Sequence, residues 1–207
     1  LNRASISRIF DERVYDLIEK KIIKFPVYLS AGQEYVACTI AEICNMKRIK
    51  PMLFGQHRGH SIYLGFSGNV KDLINEMLGK KNGCTYGMGG SLSIHSEKIN
   101  MFGHDGFMGS NAPIAVGACL ASKKPTIVFL GDAAVEEDYV LSSISWIAKK
   151  QLPILFVIED NDFAVLTSKD ERRDWKINNV AKSFNIESAD VNDNPLNIYK
   201  CLKNYKF

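Results

Sequence analysis

The sequence predicts an α/β fold with a mainly parallel sheet flanked by helices. Residues 126–130 and 154–158 are short, uninterrupted apolar runs, which are typical of strands buried on both faces. Residues 137–150 between them carry apolar side chains at helical spacing, as in an amphipathic helix. The three segments therefore predict a β-α-β unit with a right-handed crossover.

The remaining segments extend this alternation and indicate a single domain over residues 1–207. Residues 1–50 should form a helical amino-terminal segment that packs on this domain. Pro26 ends the first helix because proline cannot continue a helix interior. The other predicted elements are helices at residues 5–24, 31–43 and 69–78, a short helix at 179–184, a strand at 188–191 and a helix at 195–205.

The composition argues against several classes of protein. The chain has 26 Lys and Arg against 23 Asp and Glu, and its scattered lysines do not predict a nucleic-acid partner. No apolar run approaches the roughly 18 residues of a membrane span, so we expect no membrane association. The cysteines form no C-x-x-C pair, which favours reduced thiols in a cytoplasmic protein over a zinc site or a disulfide framework. They are Cys38, Cys44, Cys84, Cys119 and Cys201.

Residues 79–117 are unusually rich in glycine, with nine glycines in 39 positions. Glycine at this density indicates unusual backbone dihedrals or close approach of the backbone to another group. A surface loop is the simpler interpretation, but long structureless loops are uncommon in compact domains unless they are functional. We therefore expect this segment to belong to a functional site.

Polar residues follow both predicted parallel strands. Gly131-Asp132-Ala133-Ala134 follows the first strand, and Asn161 lies just after the second. Ligands of parallel α/β sheets bind beyond the carboxyl ends of the strands, and carboxylate and amide oxygens suit magnesium. Magnesium keeps few protein ligands and takes others from phosphate and water. The alternative, on these residues alone, is that Asp132 caps a helix and Asn161 holds a turn.

The spacing of these residues resembles the thiamine diphosphate signature, which begins Gly-Asp-Gly and ends in Asn-Asn after the next strand. More specifically, nearly the whole chain resembles the alpha subunit of the decarboxylating component of 2-oxo acid dehydrogenases, of the pyruvate, acetoin and branched-chain types. The resemblance implies a thiamine diphosphate-binding, diphosphate-domain fold. Its further motifs, in the family's order, are Ser30-Ala-Gly-Gln-Glu34, Gly83-Cys-Thr-Tyr-Gly-Met-Gly-Gly-Ser91 with His95, Gly106-Phe-Met-Gly109 leading to Pro113, and Leu152-Pro-Ile-Leu-Phe-Val157.

The resemblance implies thiamine diphosphate and Mg²⁺ as cofactors. The metal ligands would be the side chains of Asp132 and Asn161 and the backbone carbonyl of Phe163. Gly106 and Met108 match positions whose carbonyls contact the aminopyrimidine ring, although methionine is also a common gap-filler in cores. The backbone that approaches the diphosphate would be that of Gly131, Ala133 and Ala134.

The chain departs from the family pattern at two places near this site. Alanine stands at 133 where the family has glycine, and aspartate at 160 where it has asparagine. The acidic run at 136–138 is also unusual, and we expect it to occupy the first turn of a helix, where acids favour the dipole, and to point to solvent.

A further departure lies at residues 55–60, where many family members have Tyr-Arg, a variable residue and then His-Gly. With Gly59 as the anchor, the family arginine falls on Gln56, and the available cation, Arg58, is displaced by two positions. Arg58 can bind phosphate with a bidentate fork. His57 or His60 would add a donor, so we expect this segment to contact the diphosphate rather than a metal.

The resemblance also implies a partner. The glutamate that activates the cofactor lies on a pyrimidine-binding domain, which in this family belongs to a separate beta subunit. Alpha chains of the family continue past position 207, with a histidine loop that closes over the diphosphate. We therefore expect a chain that is inactive alone and that, with a beta subunit, decarboxylates a 2-oxo acid and passes the acyl group to a lipoyl acyltransferase. The alternatives are half of another split thiamine diphosphate enzyme, transketolase-like or synthase-like, and a degenerate, non-catalytic subunit.

Overall fold

A parallel sheet of four strands forms the centre of the protein. The computed structural model describes residues 2–206 and places the strands in the order β2-β1-β3-β4. The predicted strands at 126–130 and 154–158 are confirmed, and two further strands were not predicted. The strands are β1 Met52–Gln56, β2 Met101–Asp105, β3 Thr126–Gly131 and β4 Ile154–Glu159.

Helices cover both faces of this sheet, and a two-residue hairpin follows β4. The helices predicted at the amino end, at 69–78 and at 137–150 are confirmed with shifted ends. The helices are α1 Asn2–Glu19, α2 Glu34–Met46, α3 His60–Gly65, α4 Val70–Met77, α5 Asn111–Ser122, α6 Asp138–Lys150, α7 Lys169–Arg172, α8 Ile177–Ser183 and α9 Pro195–Leu202. The hairpin strands are β5 Phe163–Ala164 and β6 Thr167–Ser168.

Alternation of side chains along the strands divides the apolar interior into two cores. Leu53, Ile127 and Phe129 face one core, which also contains buried residues of α1, α2, α3, α4 and α9. Phe54 and Val128 face the other, which contains residues of α5 and α6. Because both faces are covered, the strands read as nearly continuous apolar runs.

The strand predicted at residues 188–191 is wrong. Residues 186–192 form neither helix nor strand. A strand needs a hydrogen-bonding partner and a face to bury, whereas β4 ends the sheet and Val191 is 45% exposed.

The buried carboxylate of Glu76, at the end of α4, organises the first part of the glycine-rich segment. Its Oε2 accepts hydrogen bonds from the backbone N–H groups of Thr85 at 2.7 Å and Gly87 at 2.9 Å. Its Oε1 accepts from Gly89 at 2.8 Å and Gly90 at 3.1 Å. Four donors therefore converge on one side chain that has no access to solvent.

The same wrapping explains one of the glycines. A Cβ at Gly83 would lie 2.4 Å from Oε2 of Glu76 and 2.7 Å from its Cα, which no side chain could occupy. This part of the glycine-rich segment is therefore a tight wrap around a carboxylate, and the segment beyond it forms β2 and begins α5.

We expect Glu76→Gln to lower the free energy of unfolding by about 3 kcal/mol, because the amide NH₂ would leave two partly buried N–H donors without an acceptor. Urea unfolding measures this change. Glu97→Gln, at an exposed position of the same segment, is the matched control and should stay close to the parent. Equal stability of the two variants would contradict the role of Glu76.

Candidate functional site

The carboxyl ends of all four strands of the main sheet, with the residues that follow them, form one edge, here called the carboxyl edge. Gly131 pairs with Glu159 at the end of β3 and β4, and Gln56 ends the neighbouring β1. Gly106 and Met108 follow the end of β2. The structure thus brings the residues predicted after separate strands to a common edge.

Asp132 and Asn161 lie after neighbouring strands of this edge, as their spacing predicts. Asp132 is 2% exposed, whereas Asn161 is on the surface. The side-chain oxygen of Asn161 accepts a hydrogen bond from the backbone N–H of Phe163 at 3.2 Å, which forms a local turn. Phe163 begins the hairpin that follows β4.

The charge of Asp132 is balanced by Arg172 of α7. One terminal nitrogen of the Arg172 guanidinium contacts Oδ2 of Asp132, and the other contacts Oε1 of Glu136. Nε of Arg173 lies 3.4 Å from the same Glu136 oxygen. A buried carboxylate needs such a partner because desolvation penalises an isolated charge.

These contacts correct the expectation that the whole acidic run points to solvent. Glu136 is half-buried between two arginines, and only Glu137 and Asp138 are exposed. Those two residues are the cap and the first residue of α6, as predicted for acids near a helix amino terminus. A run of three acids does not reveal from sequence which member turns inward.

A second basic residue of α7 binds the acids after β4. Nζ of Lys169 lies 2.8 Å from Oδ2 of Asp160 and also contacts Asp162. Burial acts most strongly and would raise the pKa of Asp160, but the hydrogen bonds from Lys169 and from the Asp162 N–H, together with the charges of Lys169 and Arg173, hold that pKa below its usual range. Both basic ends of α7 therefore lie on carboxylates of the carboxyl edge.

Gln56 and Gly131 are in close contact at the middle of the edge. A Cβ at Gly131 would lie 3.1 Å from the side-chain nitrogen of Gln56, which is itself 3% exposed. The amide oxygen of Gln56 is buried and has no hydrogen-bond partner within residues 2–206. Gly131 thus gives room to the Gln56 side chain.

A short 3-10 helix follows β3. Ala133 is its cap residue, and Ala134, whose side chain is buried, is its first residue.

Glu159 is a buried acid that the sequence analysis did not select. Burial raises its pKa to about 8, and the positive charge of Arg58 opposes this shift. Its Oε1 is buried with no hydrogen-bond partner among the described residues. The available signal was a charged residue directly after an apolar parallel strand, at a position that faces the site.

The loop after β1 carries Arg58 and His57. Arg58 is half-buried and donates a hydrogen bond to the carbonyl of Leu29 at 3.1 Å. Burial and the charge of Arg58 lower the pKa of His57 to about 4, so the ring is neutral at pH 7. His57 packs edge-on against Tyr28 with 5.0 Å between the ring centroids.

His60 takes a different place from the one expected. Its ring is fully buried, with Nδ1 2.6 Å from Oδ1 of Asp11 and Nε2 2.9 Å from Oγ of Ser91. Both nitrogens are therefore occupied by protein groups, and the geometry does not support the predicted contact with a diphosphate.

The Asp11–His60–Ser91 connectivity has the order of a hydrolase triad, but it is structural. Ser91 is 1% exposed, and its Oγ already accepts a hydrogen bond from the Tyr28 N–H at 3.2 Å. A nucleophile needs access to its substrate. This network therefore holds the fold rather than performing acyl transfer.

Met108 has a defined partner for its backbone carbonyl. The hydroxyl of Tyr139 donates a hydrogen bond to this carbonyl, and Phe107 stacks on the Tyr139 ring with centroids 6.3 Å apart. The Met108 side chain packs against the core formed by α5 and α6. Gly106 has the Leu92 side chain 3.5 Å from the position of a Cβ.

Within residues 2–206, no group of three or more His, Cys, Asp or Glu side chains could hold a metal ion. No helix in the described chain is long and apolar enough to cross a membrane.

Comparison with known proteins identifies the family. The family model of the dehydrogenase E1 component matches residues 2–205. The chain belongs to this E1 family. The predicted family resemblance is thereby confirmed, and the parallel sheet flanked by helices agrees with it.

Several curated E1-type alpha subunits are similar to this chain. The subunit alpha of acetoin:2,6-dichlorophenolindophenol oxidoreductase from Cupriavidus necator is 33% identical over 168 residues, which cover 79% of this chain and 50% of the relative. The pyruvate dehydrogenase E1 component subunit alpha of Zymomonas mobilis is 28% identical over 80% of this chain and 48% of its own length. The mitochondrial pyruvate dehydrogenase E1 alpha subunit of Solanum tuberosum is 27% identical over 74% and 40% respectively. The chain thus spans about half the length of the relatives it matches.

In this E1-family chain, the loop with Arg58 rests on a buried histidine. His104 of β2 is 1% exposed, and its Nδ1 accepts a hydrogen bond from the Ile94 N–H at 2.7 Å. A Cβ at Gly59 would lie 2.5 Å from Nε2 of this ring. Burial lowers the pKa of His104 to about 3.

His104 should make stability fall in acid. Because its pKa is depressed from 6.5 in the folded state, the unfolded chain binds a proton that the folded chain rejects between pH 6.5 and about 3. His104→Gln, which keeps an acceptor for Ile94, should reduce the loss of unfolding free energy over this range by up to roughly 1.4 kcal/mol per pH unit. Chemical denaturation from pH 7 to pH 4 measures it. The partly exposed His95, changed to Gln, is the control, and identical slopes for both variants would refute the effect.

Proposed function

We propose that this chain holds the magnesium and diphosphate of thiamine diphosphate, as the alpha-type half of a 2-oxo acid dehydrogenase E1 component. One observation carries the proposal: Asp132 is a buried carboxylate at the carboxyl end of β3 that requires a cation, and Asn161 follows the neighbouring strand. Strand ends of this kind are where parallel α/β folds bind their ligands. The E1 family match over residues 2–205 supports the same proposal.

The groups at this edge fit magnesium. The Asp132 carboxylate, the Asn161 amide oxygen and the Phe163 carbonyl are hard oxygen donors, and magnesium takes its other ligands from phosphate and water. Arg172 already stands in for a cation on Asp132.

The phosphate side of the site is proposed at the backbone of Gly131, Ala133 and Ala134 and at Arg58. We propose a different register for the family's Tyr-Arg-x-His-Gly pattern, in which Arg58, Gly59 and His60 match Arg-x-His. In this register His57 stands in place of the tyrosine and Ser61 in place of the final glycine. Arg58 is the cation whose charge reaches Glu159 at this edge, whereas Gln56 is a buried neutral amide. In that register no displacement of the arginine is needed, and Arg58 binds phosphate through its fork.

The proposed reaction needs a second subunit. When bound, thiamine diphosphate would supply the nucleophilic carbon of the reaction. This chain would bind and orient the cofactor, and the carbonyls of Gly106 and Met108 would hold its aminopyrimidine side. Tyr139 fixes the second of these carbonyls. A beta subunit supplies the pyrimidine-side glutamate, and a lipoyl acyltransferase receives the acyl group.

Exposed apolar side chains support a partner surface. The exposed side chains are 66–95% accessible and lie in two places: Tyr86, Met88 and Phe107 in the segment before α5, and Val165 and Leu166 at the tip of the hairpin.

We propose a cytoplasmic location for this chain. The proposal rests on its five free thiols, three of which are buried.

Asp132→Asn should raise the Kd for Mn²⁺, used as a spectroscopic substitute for Mg²⁺, by about 100-fold or more, because a charged metal ligand is lost. Titration calorimetry with metal and thiamine diphosphate, with and without the beta-type partner, measures this effect. Asp138→Asn removes a nearby exposed carboxylate and should leave the Kd unchanged. Equal affinities of the two variants would sink the proposed site.

The chain without its partner should not decarboxylate 2-oxo acids in the presence of Mg²⁺ and thiamine diphosphate. Robust turnover by the isolated chain would contradict the split site. Turnover with a partner but without lipoyl acceptors would instead favour another split enzyme, of transketolase or synthase type.

A second candidate function is a non-catalytic subunit. The ion pair of Arg172 with Asp132 favours it, because a guanidinium that never leaves would take the place of the metal. In that case calorimetry gives no heat with metal and cofactor, even with the partner present.

A further inference from the structure

α7 places an internal cation on the residue proposed to bind the metal. The Arg172 guanidinium contacts Asp132 through one terminal nitrogen and Glu136 through the other. The side chains of Arg172 and Asp132 are 11% and 3% exposed, so this is a largely buried ion pair. A divalent cation on the same carboxylate oxygen would overlap sterically with the guanidinium and would be repelled by its positive charge.

We infer that Arg172 is a competitive internal cation: it binds Asp132 while the metal is absent and must leave Asp132 before a metal can bind. The inference rests on the proposed metal site and deepens it, because it names a residue of this chain that sets the affinity for the metal. It needs no chemical step, only the exchange of one cation for another on a carboxylate.

The surroundings of Arg172 permit this exchange. Glu136 has Arg173 as a second cation at 3.4 Å, so it keeps a partner if Arg172 moves. The α7 helix has only four residues, and Lys169 at its start binds acids on the other side, Asp160 and Asp162. The helix therefore remains tethered at Lys169 while the Arg172 side chain swings away. Arg172 contacts Asp132 and Glu136 through separate terminal nitrogens, so the exchange requires the loss of only one of these contacts at Asp132.

The direct test compares Arg172→Gln with Arg173→Gln in the 207-residue chain. Both variants remove one positive charge near Glu136, but only Arg172 touches Asp132. The Kd for Mn²⁺, measured by electron paramagnetic resonance without thiamine diphosphate, should fall about tenfold in Arg172→Gln. It should change no more than about twofold in Arg173→Gln, where only the long-range field is altered. Arg172→Lys keeps the charge and should stay closer to the parent than Arg172→Gln.

A second measurement reports the movement itself. Trp175 lies next to α7, with the Arg173 guanidinium carbon 4.5 Å from its ring centroid. The chain has one other tryptophan, Trp146, and a Trp146→Phe background leaves Trp175 as the reporter. Mn²⁺ titration should change the Trp175 emission of that background. The additional Arg172→Gln change should reduce the signal while tightening binding. Thermal unfolding verifies that each variant is folded.

The outcomes separate this inference from the proposed function. Equal Mn²⁺ affinity of the parent and Arg172→Gln overturns the inference and leaves the metal site standing. The titration is then repeated with thiamine diphosphate and the beta-type partner present. No Mn²⁺ binding by either chain under these conditions overturns both proposals. Binding by Arg172→Gln but not by the parent under these conditions supports the occupancy of Asp132 by Arg172 and overturns the catalytic function, because the internal cation is then never displaced.

Discussion

The imidazole ring of His60 joins three distant parts of the chain, and the position of the candidate site depends on it. Its two nitrogens bind Asp11 of α1 and Ser91 of the glycine-rich segment, and Asp11 also accepts from the backbone N–H and the hydroxyl of Ser30. All four side chains are buried, so each lost bond leaves a polar group without water or a partner. Since His60 begins α3 only two residues after Arg58, the network also holds the cation of the β1 loop in place.

Charge balance is the second constraint, and it connects the edge of the sheet with the segment after β4. The acids at this edge are paired with basic residues of α7 and with Arg173, the residue that follows α7. Arg172 pairs with Asp132 and Glu136, and Arg173 pairs with Glu136. Lys169 pairs with Asp160 and Asp162. A four-residue helix has little stability of its own. The ion pairs at both of its ends, together with its Ser168–Glu171 capping box, therefore account for its position.

The sequence predicts those parts of the fold whose buried apolar side chains form a continuous or periodic pattern along the chain. β3, α6 and β4 follow from such patterns, and the spacing of Asp132 and Asn161 places them at neighbouring strand ends. β1 and β2 were not predicted because each has only five residues and contains a glycine, which weakens the pattern typical of a strand. Arg172 was not predicted to belong to the site for a different reason. The Lys-Asp-Glu-Arg sequence of α7 has the composition of a solvent-exposed helix, and the ion pair between Arg172 and Asp132 joins residues 40 positions apart. Local patterns carry no information about such long-range pairing.

The arrival of an anionic ligand changes the balance of this edge in a definite direction. Glu159 is mostly protonated at neutral pH because burial raises its pKa to about 8, so the remaining acids and bases of the edge nearly cancel. A diphosphate brought here alone would add negative charge beside the Asp132 carboxylate, which is unfavourable at low effective dielectric. In the proposed site, a metal on Asp132 would remove that repulsion and would also free the Arg172 guanidinium. Metal and diphosphate should therefore bind with positive coupling, and the internal cation is the element through which each favours the other.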